Sequence, residues 1–162
     1  MSMIGRFLCV DAVRGRKLAS DEAERADLLA EMEGSGEHAF DANKAWHGMH
    51  YALVGSAMPN ENVLSLVIFG GDEFGDDLGY GPPRYMDPET VRALSSALDG
   101  VDVARIVEEL DLEAMDAADV YPGKWAENAE WSRGYIGEYL TPLRDFYRVA
   151  AIRGDGVVLW LI

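Results

Sequence analysis

The apolar positions mark out strands at both ends of the chain. From Met3 to Val10, an extended chain places Ile4, Leu8 and Val10 on one side and Phe7 and Cys9 on the other. Both sides are apolar, which predicts a strand central in its sheet. Val157 to Ile162 is apolar throughout and predicts a second such strand, a natural neighbour of the first. Between them the pattern is mostly helical. Ser20, followed by Asp21 and Glu22, is the expected cap of a helix striped by Leu28, Leu29 and Met32 and stopped at Gly34 to Gly36. Phe40 and Asp41 open the next expected helix, with Asp41 as its cap. Trp46, His50 and Leu53 share one face of it, and Gly55 stops it.

The middle of the chain mixes strong and weak signals. Leu64 to Phe69 is apolar and reads as a strand, with a buried helical turn as the alternative that periodicity does not separate from it. Gly70 to Arg84 holds five glycines and two prolines, which argues against any regular element. Asp87-Pro88-Glu89 starts a helix with proline at its first position and Val91, Leu94 and Leu98 as its buried stripe. Two short helices follow, Val103 to Leu110 and Leu112 to Met115, capped by Asp102 and Asp111. After an irregular Tyr121 to Trp125, a helix from Glu130 to Ala151 is expected to bury Tyr135, Tyr139, Phe146 and Ala150. Pro142 should kink that helix, or restart it with Thr141 as the cap. Strands and helices do not alternate regularly. The expected class is α+β, a small sheet including the N- and C-terminal strands packed by several helices, in one domain spanning residues 1–162.

Charge changes this picture more than composition does. Apolar residues make up 49% of the chain, enough for a core without a disulfide or metal staple. Fourteen basic residues face 29 acidic ones, a formal net charge of −15. Such a surface repels phosphate backbones and anionic headgroups, so neither nucleic acid nor membrane is an expected partner. A basic protein suits the field, and plain solvation is the simpler explanation of the same charge. Glu108, Glu109, Asp111, Glu113, Asp116 and Asp119 form a run with no base among them, a candidate protein-docking face. The single cysteine, Cys9, reads as a small core residue, since no His or Lys adjoins it in sequence. The opening stretch is short and broken by Arg6, unlike a signal peptide, and the cytoplasm is the expected compartment.

No motif announces a reaction. His47 and His50 stand three apart, without the Glu and the fourth-position His of a zinc helix, so no metal and no cofactor is expected. Asp72, Glu73, Asp76 and Asp77 lack the spacing of a calcium loop and read as solvated acids. The sharper lead is Tyr80 to Arg84. Glycines flank Tyr80, and Pro82 and Pro83 stiffen the approach to Arg84, a side chain suited to gripping an anion by two parallel bonds. The candidate catalytic or ligand-holding trio is His50 for proton transfer, Tyr80 as donor and Arg84 as anion grip. The plainer reading pairs Arg84 with an internal carboxylate, bonds a partly buried His50 to backbone and leaves His47 in water. The dense aromatics Trp125, Trp131, Tyr135, Tyr139, Phe146 and Tyr147 have the spacing of a core stripe.

Blocks spread along nearly the whole chain resemble the bacterial YfbM-like proteins. They are Met3-Ile4-Gly5-x-Phe7, Asn43-Lys44-x-Trp46-His47-x-x-His50-Tyr51-x-Leu53-x-Gly55, Ile68-x-Gly70-Gly71 and Leu78-Gly79-Tyr80-Gly81-Pro82-x-Arg84. Tyr121-Pro122-x-x-Trp125 and Phe146-Tyr147-x-x-Ala150-Ala151 complete the set in order. The resemblance implies a small α+β protein of the bacterial cytosol and supplies no reaction. It adds Trp46, Tyr121 and Trp125 to His47, His50, Tyr80 and Arg84 as the expected ligand-binding group. Two functional expectations result. The leading one is a non-catalytic binding protein, immunity- or regulator-like, that meets a protein partner through its acidic face. The other is an enzyme or binder for a small anionic ligand, with its pocket around His50, Tyr80 and Arg84. Monomer and homodimer are both compatible with the sequence.

Overall fold

Five strands form one antiparallel sheet, and the reason for their order lies at the chain ends. The computed structural model describes residues 2–33, 36 and 38–162. Strand β1 (Gly5–Val10) sits between β2 (Ala39–Asn43) and β5 (Gly156–Leu161), so the first and last strands are neighbours. The hairpin β3 (Asp72–Glu73) and β4 (Arg84–Met86) extends the sheet beyond β5, giving the order β2-β1-β5-β4-β3. Directly paired residues of an antiparallel sheet share a face. Phe7, Leu159 and Arg84 are in register across three strands and face one way, while Leu8, Val158 and Tyr85 face the other.

Each face has its own helical cover. On the second face lie α1 (Ala12–Lys17) and α2 (Glu22–Met32), which bury Leu18, Leu28 and Met32 with Phe74 against Leu8, Val10, Val158 and Trp160. On the first face lie α3 (Trp46–Val54), α4 (Leu66–Phe69), α5 (Pro88–Asp99), α6 (Val103–Glu108), α7 (Leu112–Ala117) and α8 (Ala129–Arg153). Their buried side chains, among them Met49, Leu94, Leu98, Ile136, Leu140 and Tyr147, join Phe7, Val157 and Leu159 in the larger core. The class is α+β, with the sheet enclosed between unequal helical layers.

Several expected elements take another form. Asp21, rather than Ser20, caps α2, accepting from the Ala23 and Glu24 N–H groups at 3.0 and 3.1 Å. Gly34 and Ser35 of the expected stop lie outside the described residues, and Leu29 of the expected stripe is exposed. Helix α1 was not legible in the pattern; Asp11 caps it, accepting from Val13 and Arg14 N–H. Phe40 and Asp41 do not open a helix. They lie in β2, whose backbone completes the edge of β1 and whose Asp41 pairs with Arg6 at 3.6 Å. Leu64 to Phe69 is not a strand. Asn62 caps a 3₁₀ turn (Val63–Ser65) that runs into α4, and Val67 and Ile68 are buried there. Gly70 to Arg84 is not wholly irregular, since it carries β3 and the first residue of β4.

The long helix shows the largest shift. Its buried stripe is Ser132, Ile136, Leu140, Leu143, Tyr147 and Ala150, one position beyond most of the expected one. Tyr135, Tyr139 and Phe146 are half-buried at its flank and Trp131 is exposed, so the aromatics do not form one core stripe. Pro142 does not interrupt the helix and Thr141 caps nothing. Pro142 and Glu138 both lie on the exposed side, where losing one helical hydrogen bond costs less than it would in the core.

Candidate functional site

The tryptophan-histidine helix builds an aromatic layer over the sheet. Trp46 opens α3, and its indole N–H donates to the Met3 carbonyl at 3.2 Å. Its Cβ stands 2.8 Å from where a Cβ on Gly5 would be, so glycine there lets the helix approach β1. The His47 ring stacks on Trp46 with centroids 4.8 Å apart and planes within 6°. Tyr121 stacks near the same indole at 5.9 Å. The His47 Nδ1 accepts the Tyr121 backbone N–H at 2.9 Å, and its Nε2 lies 2.8 Å from the Ala57 carbonyl. One nitrogen must accept and the other donate, which assigns the neutral Nε2–H tautomer. Burial lowers the pKa of His47, and the Ala57 carbonyl opposes this in part.

His50 lies one turn on and is fully buried, its ring edge-on to Phe69 at 4.7 Å. Neither ring nitrogen meets hydrogen-bond geometry with a protein atom. The Met58 backbone is close enough to favour protonation somewhat, but the strict geometry governs how the neutral ring is held. Burial is the first cause lowering the His50 pKa, and His47 lowers it further. The expected roles of the two histidines are therefore reversed. His47 carries the backbone bonds, and His50 is buried without them.

Arg84 reaches the same layer from the sheet. Its Cζ lies 5.7 Å from the Phe69 ring centroid. Its two terminal nitrogens donate to the Phe69 and Ile68 carbonyls at 2.7 and 3.0 Å. It thus caps the negative end of α4, and not an internal carboxylate as the plainer reading had it. The crevice beside it, bounded by Trp46, Phe69 and Leu159, measures about 10 Å³, no more than one water requires. Trp125 is buried beneath α3. Its indole donates to the Val120 carbonyl at 2.8 Å, and its ring edge stands 2.7 Å from where a Gly48 Cβ would lie.

Tyr80 stands apart from these residues. Its loop is anchored by Phe74 and Leu78, which pack on the second face of the sheet. Asp77 holds the loop by accepting from the Gly79 and Gly81 N–H groups. No hydrogen bond or ring contact joins Tyr80 to His50 or Arg84 among the described residues. The fold gathers Trp46, His47, His50 and Arg84 around Phe69, with Tyr121 joined through Trp46 and His47; Phe69 is a residue that the sequence did not single out. Its position at the end of an ambiguous apolar run hid it.

The acidic run divides into two kinds of residue. Asp111 caps α7, and Asp116 accepts the Trp125 and Ala126 N–H groups at 2.8 and 3.0 Å. Glu109 pairs with Arg105 at 3.0 Å. Glu108, Glu113 and Asp119 are exposed and form no ion pair among the described residues. The sequence also gave no sign of a cleft of about 490 Å³ at the junction of β1 and β5, lined by Cys9, Asp11, Arg14, Glu31, Arg153 and Asp155 among others. Burial and the neighbouring Asp155 push the Cys9 thiol up to about 12, against the pull of Arg153, so it stays protonated. Among the described residues no group of three His, Cys, Asp or Glu could hold a metal ion, and no helix is long and apolar enough to cross a membrane.

This is a small α+β protein whose aromatic layer is bonded largely to its own backbone. The chain belongs to the family described as a domain of unknown function (DUF1877), which it matches over residues 1–160. Its fold is similar to that of YfbM from Escherichia coli, a protein of unknown function, with a TM-score of 0.75 over 98% of this chain and 99% of that one. The two are 21% identical, a likeness of fold. No curated protein matches. The YfbM-like resemblance is borne out, and it brings no activity with it.

Proposed function

We propose that this chain is a non-catalytic protein-binding module that meets a basic partner through its acidic surface. The observation that carries the reading is the uncompensated charge on α6, α7 and the turn after α7. Glu108, Glu113 and Asp119 are exposed there with no ion pair among the described residues, in a chain of net charge −15. An unpaired acidic face steers a basic protein and repels acidic ones. The small-ligand reading has less support. Arg84 commits both terminal nitrogens to carbonyls, His47 is bonded at both nitrogens, and His50 has no exposure through which a substrate could reach it.

The test is calorimetric titration of the folded protein with a lysine-rich peptide at low and high salt. Glu108→Gln, Glu113→Gln and Asp119→Asn together remove no cap and break no side-chain hydrogen bond or ion pair among the described residues, so the variant should fold normally. It is expected to bind several-fold more weakly at low salt, and the difference should shrink at high salt. Equal affinity for both proteins, or binding indifferent to salt, would sink the docking reading.

A further inference from the structure

An exposed aromatic ladder runs along the flank of α8. Trp131 stacks on Tyr135 with centroids 4.8 Å apart and planes within 11°, and Tyr135 meets Tyr139 at 5.0 Å. The Asn43 side-chain amide donates to the Tyr139 hydroxyl at 3.3 Å and fixes the lower rung. The upper rung is open: Trp131 is 58% exposed, whereas the other three tryptophans are at most 5% exposed. Such exposure of the largest apolar side chain, on a rung already held in place, calls for an explanation in contacts outside the chain.

The surroundings say what would cover it. Glu130 precedes Trp131, and Glu138 lies two turns along on the same side of the helix; both are exposed and neither forms an ion pair among the described residues. Of the neighbouring bases, Lys124 pairs with Glu127 at 3.3 Å, and Arg133 turns away to the Glu108 and Leu110 carbonyls. Lys44 lies beside the Tyr135 rung through its backbone. The Trp131 end therefore presents an exposed indole on a stretch of helix that also carries exposed carboxylates. A guanidinium fits both at once, since it stacks flat on an aromatic ring and offers its N–H edge to carboxylates; a lysine ammonium stacks less well.

We infer that the Trp131-Tyr135 rung, with Glu130 and Glu138, is the place where an arginine side chain of a basic protein partner docks. This rests on the acidic-surface reading and gives it a specific anchor. The test titrates the protein with hexa-arginine and hexa-lysine, following tryptophan emission and heat. Since Trp131 is the exposed tryptophan, its emission reports the contact. Hexa-arginine is expected to bind more tightly than hexa-lysine and to change the emission. Trp131→Ala, at an exposed position, should weaken hexa-arginine by about fivefold and abolish the preference over hexa-lysine. Glu130→Gln with Glu138→Gln should weaken both peptides. Neutralising Glu108, Glu113 and Asp119 should leave the arginine preference intact. Unchanged affinity in Trp131→Ala, no arginine preference in the wild type, or a response of Trp131 to a neutral oligosaccharide but not to hexa-arginine each overturns the anchor. If salt-sensitive binding of either peptide survives those results, the acidic-surface reading still stands. If neither peptide binds with salt sensitivity, both readings fall.

Discussion

At the scale of single residues, the aromatic layer is held by neutral histidines. His47 accepts one backbone bond and donates another, so a proton on Nδ1 would break the Tyr121 contact. His50 is enclosed and would carry a charge where only the Met58 backbone offsets part of the cost of burial. Burial lowers both pKa values below the ordinary histidine range. The unfolded chain therefore takes up protons at a higher pH than the folded one. The stability that these groups contribute is complete above about pH 6.5 and declines as pH falls below that value towards the lowered folded-state values. The urea midpoint should drop across that window. His50→Leu, which removes two unpaired nitrogens and keeps an apolar filling, should match or exceed the wild type near neutral pH and lose less stability on acidification. A wild-type midpoint that stays flat from pH 7 down to about pH 5 would contradict this account.

At the scale of elements, α4 is the junction. It is a single turn, too short to be stable by itself. Three groups hold it: Asn62 caps the turn before it, Arg84 takes up its last carbonyls, and the Tyr147 hydroxyl donates to the Val67 carbonyl at 2.7 Å. Arg84→Leu should cost about 2 kcal/mol, because two charge-assisted bonds are lost and buried carbonyls remain. Arg84→Lys should recover little of this, since one ammonium does not reproduce the fork. Hydrogen exchange of the Gly70 N–H, which donates to the Leu66 carbonyl at 2.9 Å, should quicken in both variants. Full recovery by lysine would show that charge alone, and not geometry, is what α4 needs. The sequence marked Arg84 as held in a fixed direction but misread α4 as a strand. A run of four to six apolar residues has no period by which to choose.

At the scale of the whole molecule, the excess of acid makes self-repulsion a term that salt can read. A net charge of −15 on 162 residues favours expansion at low ionic strength, where the field is unscreened. Moderate sodium chloride should raise the melting temperature by about 2–4 °C per kcal/mol relieved and then level off as screening saturates. A melting temperature that falls with added salt would mean that surface ion pairs such as Arg14 with Glu24 and Arg148 with Asp99 outweigh the repulsion. Glu108, Glu113, Asp119, Glu130 and Glu138 are the exposed acids in which repulsion and docking meet. A bound basic partner would relieve the same field that destabilises the free protein.

Features that depend on neighbouring residues were readable from the chain itself. The caps at Asp87, Asp102 and Asp111, the stop at Gly55 and the stripe Val91, Leu94 and Leu98 follow from spacing, burial period and local hydrogen bonding. The two terminal runs were legible as central strands because each is apolar on both faces, the one long-range pairing that composition alone pointed to. Features that depend on distant residues were not. The helix or strand state of residues 40–43 and 64–69, the anchoring of the Tyr80 loop on the second face through Phe74 and Leu78, the burial of His50, and the partners of His47 and Arg84 were set by which surfaces the sheet brought together. Local interactions extend over about one turn, whereas those contacts span 10 to 74 residues of sequence for His47 and 15 or 16 for Arg84. Propensity does not act across such separations, and packing does.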